Sequence, residues 1–387
     1  MRILVVGSGP VGLMFCAKLC QGGHDCVLIE RHRLDQTFSR ASTLQPATLE
    51  LLSELTDMPQ LLSKGEVVSE VMAWNLDQGT RKHSSYHALS GSTHFPYRLH
   101  LHQSILREHL IADLRTQACC RLVEQAQAEA IRFSAHDQSV SVDVKLHGVS
   151  GLTQTFHGDY LILCDGARSR LRQQLGLGFD GYDLPTPVVR LSLPVIPDCL
   201  EQHLSGVSYV QSKRRSLSCL KMSDGWRFVF RPSLSELNQA VTGHGWARQC
   251  LADVFREMVP PKWWSLLSAK RDTYRVAQRH VVTRRVKRVL LLGDVAHITN
   301  TRGGLNMNFG LLEAYSLARC FLNDAGLAQL EHWDLFWSGL TRDALMARTT
   351  QLLGDRTPRF LHAPDDEHGL LMRSSLLDLL PFAQGCL

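Results

Sequence analysis

The sequence predicts an α/β fold: a parallel sheet flanked by helices, interrupted by an inserted antiparallel sheet and closed by C-terminal helices. Three observations predict it. The chain opens on a strand–helix–strand pattern punctuated by Gly7, Gly9 and Gly12. Two later aliphatic runs, at Tyr160 to Cys164 and Val289 to Leu292, each end in an aspartate beside a glycine. Between the three lie stretches in which apolar and polar residues alternate, the period of half-buried strands.

Composition sets the frame. At 387 residues, 44% hydrophobic and 20% charged, the chain can bury one large core or two packed units. The net charge of +5 is spread over dispersed Lys and Arg among nearly as many acids, so no nucleic-acid partner is expected. Eleven cysteines occur without C-x-x-C or any metal-ligand spacing. No metal site is expected, and with no signal sequence at the N-terminus the thiols read as reduced in a cytoplasm. No apolar run approaches the roughly 18 residues of a spanning helix. Oligomeric state has no readable signal.

The opening stretch MRILVVGSGPVGLMFCAKL carries the first chemistry. Ile3 to Val6 reads as a strand buried on both faces, and Val11 to Leu19 as a helix ended by Gly22-Gly23. His24 to Glu30 then reads as a second strand, completing a βαβ unit of about thirty residues. Gly7 permits the tight turn, Gly9 the approach of a pyrophosphate, and Gly12 close packing of helix on strand. Pro10 and Val11 open that helix, whose N-terminal N–H groups face the phosphates. Glu30 ends the second strand, followed by Arg31, where an acid hydrogen-bonds an unphosphorylated ribose. The unit is Rossmann-like and binds FAD or NAD rather than NADP.

The second stretch is DYLILCDGARSRLRQQLG, with its turn at Asp165-Gly166 and Arg168 behind it. The third is RVLLLGDVAHITNTRGGLNMNFGLLEAYSLARCF. Here Gly293-Asp294 forms a turn, His297 follows, and Gly303-Gly304 prepares a helix beginning at Leu305 and Asn306. Taken in order, the three stretches resemble the single-component FAD-dependent aromatic hydroxylases, the class A flavoprotein monooxygenases of the para-hydroxybenzoate hydroxylase fold. Two weaker stretches resemble the same family: RASTLQPATLELLSEL from Arg40, where an arginine approaches the cofactor, and LHQSILREHL, where Gln103 contacts FAD.

The resemblance implies FAD as cofactor, with NADPH or NADH as reductant. Oxygen then adds at the flavin C4a carbon, and the hydroperoxide passes OH to a small aromatic or polyketide-like substrate. Asp294 is implied at the ribityl or pyrophosphate region, Leu305 and Asn306 at the flavin N1 and O2 edge, and Asp165, Gly166 and Arg168 at FAD and nicotinamide phosphate. His297 reads as a proton carrier or as a structural histidine. Asn300 and Thr301 depart from two prolines usual in the family, and Asn306 from a glycine, while Asn308 matches. The departures keep a second activity open, an FAD-dependent reductase or dehydrogenase of the same fold.

The expected division is discontinuous: 1–71, 101–177 and 281–320 for FAD, 72–100 and 178–280 for a substrate domain, and 321–387 for C-terminal helices. Pocket candidates on the substrate side are Tyr97, Arg98, His100, Tyr209, Arg227 and Phe228, with Arg98 taken as catalytic beside His297. No anion clamp is readable. The stretch GLLMRSSLLDLLPF from Gly369 is apolar at helical spacing and reads as docked on the core, in preference to membrane contact.

Overall fold

The computed structural model describes every residue except 37–40, 148–150, 214, 244, 267, 325, 355–366 and 386–387. Its centre is a six-stranded sheet in the order Arg285–Val286, Val289–Leu291, Tyr160–Leu163, Arg2–Val6, Asp25–Ile29 and Cys120–Val123. All neighbours are parallel except the first pair. Both faces are covered, which is why these strands are continuously aliphatic rather than alternating. Ile3, Val5 and Leu28 pack under the helices Pro10–Gln21 and Leu305–Leu322. Leu4, Val6, Val27 and Ile29 meet Val140, Val142, Val144 and Phe156 of a three-stranded antiparallel sheet.

The second large sheet has seven strands in the order Lys270–Tyr274, Val188–Leu193, Gly225–Phe230, Ser216–Met222, Val207–Gln211, Glu70–Asn75 and Thr80–Ser85. It is antiparallel except where Glu70–Asn75 meets Val207–Gln211. That junction is parallel because the hairpin 70–85 arrives from a distant part of the chain, so no short turn fixes its direction. Period-2 alternation gives the sheet two characters. Leu191, Leu193, Trp226, Phe228 and Phe230 form one apolar face under the helix Trp246–Val254. The opposite face carries Tyr209, Arg227 and Val229 in line, and Val207 and Tyr209 join the core of the nucleotide unit.

A small sheet of Thr43–Leu44, Arg98–His100 and Glu66–Val68 lies at the boundary of the two. At the C-terminal side, Leu327–Leu340 runs through a π segment, Thr341–Met346, into Ala347–Gly354. No glycine or proline interrupts residues 340–353, so the rod continues. The tail docks through Leu371, Leu376, Leu377, Leu379 and Ala383, all buried in the main core. No described helix is long and apolar enough to cross a membrane.

Candidate active site

The three glycines of the opening turn have different tasks. Gly7 sits at φ +107°, its N–H donates to the Ile29 carbonyl at 2.9 Å, and a Cβ there would lie 2.4 Å from the Cys164 carbonyl oxygen. A Cβ on Gly12 would lie 2.2 Å from the Gly7 carbonyl oxygen. Both serve the fold. Gly9 has an ordinary φ of −65°, and a Cβ there meets nothing within 4 Å. It leaves an open cradle at the helix N-terminus, where free N–H groups suit an anion. Pro10 is buried, and the half-buried Val11 packs its methyls toward Gly293.

Glu30 is tied to this turn: its carboxylate accepts from the Ser8 N–H and hydroxyl, both at 2.8 Å, and from His32 N–H at 2.9 Å. Arg107 grips the turn from the other side, donating to the Ser8 carbonyl at 2.9 Å, the Ser8 hydroxyl at 3.1 Å and the Gln36 carbonyl at 2.8 Å. Sequence reading missed this residue. Its signal was available: Arg107 lies one helical turn beyond Gln103 on Gln103–Arg115 and so on the same face. Arg31 is exposed, and Arg40 lies outside the described residues.

At the second turn, Gly166 takes φ +88° and Arg168 is exposed. Burial pushes the Asp165 carboxyl up to about 6, against the Ser169 hydrogen bond and the positive charge of Arg172 and Arg31. Its Oδ1 has no hydrogen-bond partner in the folded chain. A carboxyl raised on folding adds stability in acid that is lost as pH rises through its folded value. Asp165→Asn is therefore expected to stabilise the cofactor-free protein above pH 6 by roughly 1–3 kcal/mol, and to do little at pH 4. Thermal midpoints measured across that range check this, and a pH-independent difference contradicts it.

The third segment closes the cradle. Gly293, at φ +66°, lies against Val11 and donates its N–H to Glu313 at 3.2 Å. Asp294 is exposed and accepts from the Asn306 amide at 2.8 Å. Because a carboxylate only accepts, this bond turns the Asn306 carbonyl oxygen to His297 Nδ1, at 2.9 Å. His297 Nε2 lies 2.9 Å from Glu313, which also accepts from Arg284 at 2.6 Å, and all three side chains are fully buried. A hydrogen-bonded line thus runs from Arg284 in the core to Asp294 at the surface. His297 is enclosed within it.

Gly303 and Gly304 are both left-handed, at φ +77° and +65°, and lead into Leu305–Leu322 with no side-chain cap. Asn308 fixes them. Its oxygen accepts from Gln45 N–H at 2.8 Å and the Thr48 hydroxyl at 2.7 Å, while its NH2 donates to the carbonyls of Thr43 at 2.9 Å and Gly304 at 2.7 Å. Asn300 supplies by hydrogen bonds what proline would supply by ring rigidity. It is buried, bonded to Gln278 Oε1 through its N–H at 3.0 Å and its amide at 3.2 Å, and to the Thr349 carbonyl at 2.7 Å. The loop is therefore pinned despite the missing prolines.

Arg98, His100 and Arg227 are buried together where the small sheet meets the inner face of the seven-stranded sheet. Tyr209 lies on that inner face, and Tyr97 is half-buried with its ring against Phe95. Phe228 instead points into the opposite core.

A dinucleotide cradle, a glycine-rich loop at a helix start and a polar sheet face define a flavoprotein. Residues 1–325 match the FAD binding domain family, and the chain belongs to it. It is 27% identical over 342 residues to the para-nitrophenol 4-monooxygenase of Pseudomonas sp. (strain WBC-3), covering 86% of this chain and 81% of the relative. It is also 27% identical over 328 residues to the 6-hydroxy-3-succinoylpyridine 3-monooxygenase of Pseudomonas putida, covering 82% and 78%. The crystal structure of p-nitrophenol 4-monooxygenase from Pseudomonas putida shares the fold at a TM-score of 0.81 and 21% identity, over 99% of this chain and 98% of that one. The chain is an FAD-dependent oxidoreductase.

Proposed function

We propose that this protein is an NAD(P)H-driven monooxygenase that hydroxylates a small aromatic molecule with dioxygen. The observation that carries the reading is an open dinucleotide cradle at Gly9, supported by a pinned Gly303-Gly304 loop and a buried polar sheet face, in a chain similar over most of its length to monooxygenases. When bound, FAD supplies the redox chemistry, taking up hydride from the nicotinamide and activating oxygen. The chain's own residues bind and orient.

Gly9 and the start of the helix Pro10–Gln21 receive the pyrophosphate, in a turn whose close packing Gly7 and Gly12 allow, and Glu30, set by Ser8 and Arg107, receives the adenosine ribose. Asp294 and the N–H groups at Leu305 and Asn306 would hold the ribityl chain and the flavin's pyrimidine edge, where a helix N-terminus favours negative charge. Asp165, Gly166 and Arg168 stand toward the nicotinamide phosphates. We assign the FAD role to the segments 1–71, 101–177 and 281–320, and substrate enclosure to 72–100 and 178–280. Cysteines left free throughout the described residues fit a cytoplasmic setting.

Anaerobic addition of NADPH or NADH to the FAD-loaded protein tests this. Flavin absorbance is expected to bleach, and to bleach faster with an aromatic substrate present. Absence of bleaching with both nucleotides would overturn the reading.

A further inference from the structure

The loop that leads into the helix Leu305–Leu322 is held from two sides. On one side the Gln45 amide donates to the Gly303 carbonyl at 2.8 Å, and Asn308 binds the helix start to residues 43–48. On the other side stands Gln278. It lies on the strand Ala277–His280, which pairs with His297–Ile298 just ahead of the loop.

Gln278 is 4% exposed, at a contact between a strand and a helix where an aliphatic residue would bury at no polar cost. Its amide is instead bonded at both ends. Oε1 accepts from Asn300 N–H and from the Asn300 amide. Nε2 donates to the hydroxyls of Thr349 at 2.8 Å and Thr350 at 3.0 Å, and lies 3.2 Å from the Met346 carbonyl. A backbone N–H only donates, so the Gln278 oxygen must face the loop and its nitrogen the helix Ala347–Gly354. The Thr349 hydroxyl in turn donates to the Leu345 carbonyl at 2.8 Å, which leaves its lone pairs for Gln278.

The line continues into the loop. The Asn300 amide also reaches the Thr349 carbonyl at 2.7 Å, and Asn300 Oδ1 accepts from Arg302 N–H at 3.0 Å. Arg302 is the residue before Gly303. Two consecutive left-handed glycines have wide conformational freedom of their own, so the anchors on either side decide where the following helix start stands. A buried polar network with every member satisfied holds a single arrangement.

We propose that Gln278 and Thr349 are positioning residues for the flavin. Through Asn300 they fix where the N–H groups of Leu305 and Asn306 stand, and so set how strongly the site favours reduced over oxidised FAD. The helix Ala347–Gly354 is thereby a working part of the flavin site, although it acts only through the loop. This rests on the placement of those N–H groups at the flavin's pyrimidine edge, proposed above.

The test reads the reduction potential of bound FAD against a reference dye, beside the affinity for oxidised FAD. Gln278→Met keeps the volume and cuts the line. It is expected to bind oxidised FAD as the wild type does, since the cradle at Gly9 is untouched. Reduced FAD is expected to bind about tenfold more weakly, a potential about 30 mV lower for a two-electron couple. Asn300→Ala cuts the same line at the loop, so it is expected to lower the potential too, and the double variant no further than the larger single change. Thr349→Val is expected to shift the potential in the same direction, and Thr349→Ser, which keeps the hydroxyl, to leave it at the wild-type value. Arg279→Met is the control. Its side chain points to the other side of the same strand, toward Asp183 and the Phe179 carbonyl, so stability falls while the potential stays. An unshifted potential in Gln278→Met, additive shifts in the double variant, or an equal shift in Arg279→Met would overturn the inference. If Gln278→Met does not fold, Asn300→Ala against Arg279→Met decides. Wild-type protein whose flavin does not bleach overturns the reading above, whereas one that bleaches with a potential indifferent to these substitutions overturns this inference alone.

Discussion

Gly9→Val is expected to fold normally and to lose FAD, its affinity falling by roughly a hundredfold or more, about 2.7 kcal/mol. The backbone of Gly9 is at φ −65°, which any residue adopts, and no atom lies within 4 Å of a Cβ there. The side chain therefore disturbs nothing until a pyrophosphate arrives. Gly12→Val is the matched control with the opposite outcome, since its Cβ would lie 2.2 Å from the Gly7 carbonyl oxygen. That collision involves backbone, which cannot step aside, so the variant is expected to lose folding by several kcal/mol, on the order of the largest single-mutant effects. Circular dichroism and flavin content of the two proteins check the pair. Gly9→Val with full flavin would contradict the placement of the cradle.

A second large stability effect is expected in the buried line behind Asp294. Glu313→Gln leaves Arg284 without its counter-charge in a fully buried position, and breaking such a pair costs about 3–5 kcal/mol. Burial alone would raise the Glu313 carboxyl, but Arg284 and then His297 outweigh it and hold it below the usual carboxylate range. A carboxylate lowered on folding contributes stability above its ordinary value, lost as pH falls through the folded one. The gap between wild type and Glu313→Gln in thermal midpoint is therefore expected to be full at neutral pH and to close only in strong acid. A gap that is constant with pH would mean that the charge of Glu313 plays no part. Arg284 also donates to Ser338 and Thr341, and Asp334 accepts from the Arg284 N–H at 2.6 Å. This ties the helix Leu305–Leu322 to Leu327–Leu340, so Glu313→Gln is expected to loosen the flavin-side helix start as well.

The parts readable in the sequence are those written in local pattern. Gly7, Gly12 and Gly293 were readable because close backbone contact or a left-handed turn leaves room for no other residue. The aliphatic runs at Ile3, Tyr160 and Val289 were readable because strands buried on both faces lack alternation. What was hidden depends on residues far apart in the chain. Arg107 and Ser8 are 99 positions apart, Arg284 and Glu313 are 29 apart, and His102 and Arg227 are 125 apart. No periodicity reports such a pair. The grouping of Arg98 with Arg227 was hidden for the same reason: each looks like an ordinary strand residue until two sheets meet. The Asn300-Thr301 departure shows the converse. The missing prolines are plain in the sequence, but the Gln278 and Thr349 bonds that replace them are visible only in the fold.

Mass spectrometry of the product formed under oxygen-18 dioxygen, with NADPH and a panel containing salicylate and p-nitrophenol, tests the central claim most directly. One labelled oxygen atom is expected in the hydroxylated product for each nicotinamide consumed. A product that carries oxygen only from water, or nicotinamide oxidation that returns all the oxygen as hydrogen peroxide with every aromatic tried, would contradict it.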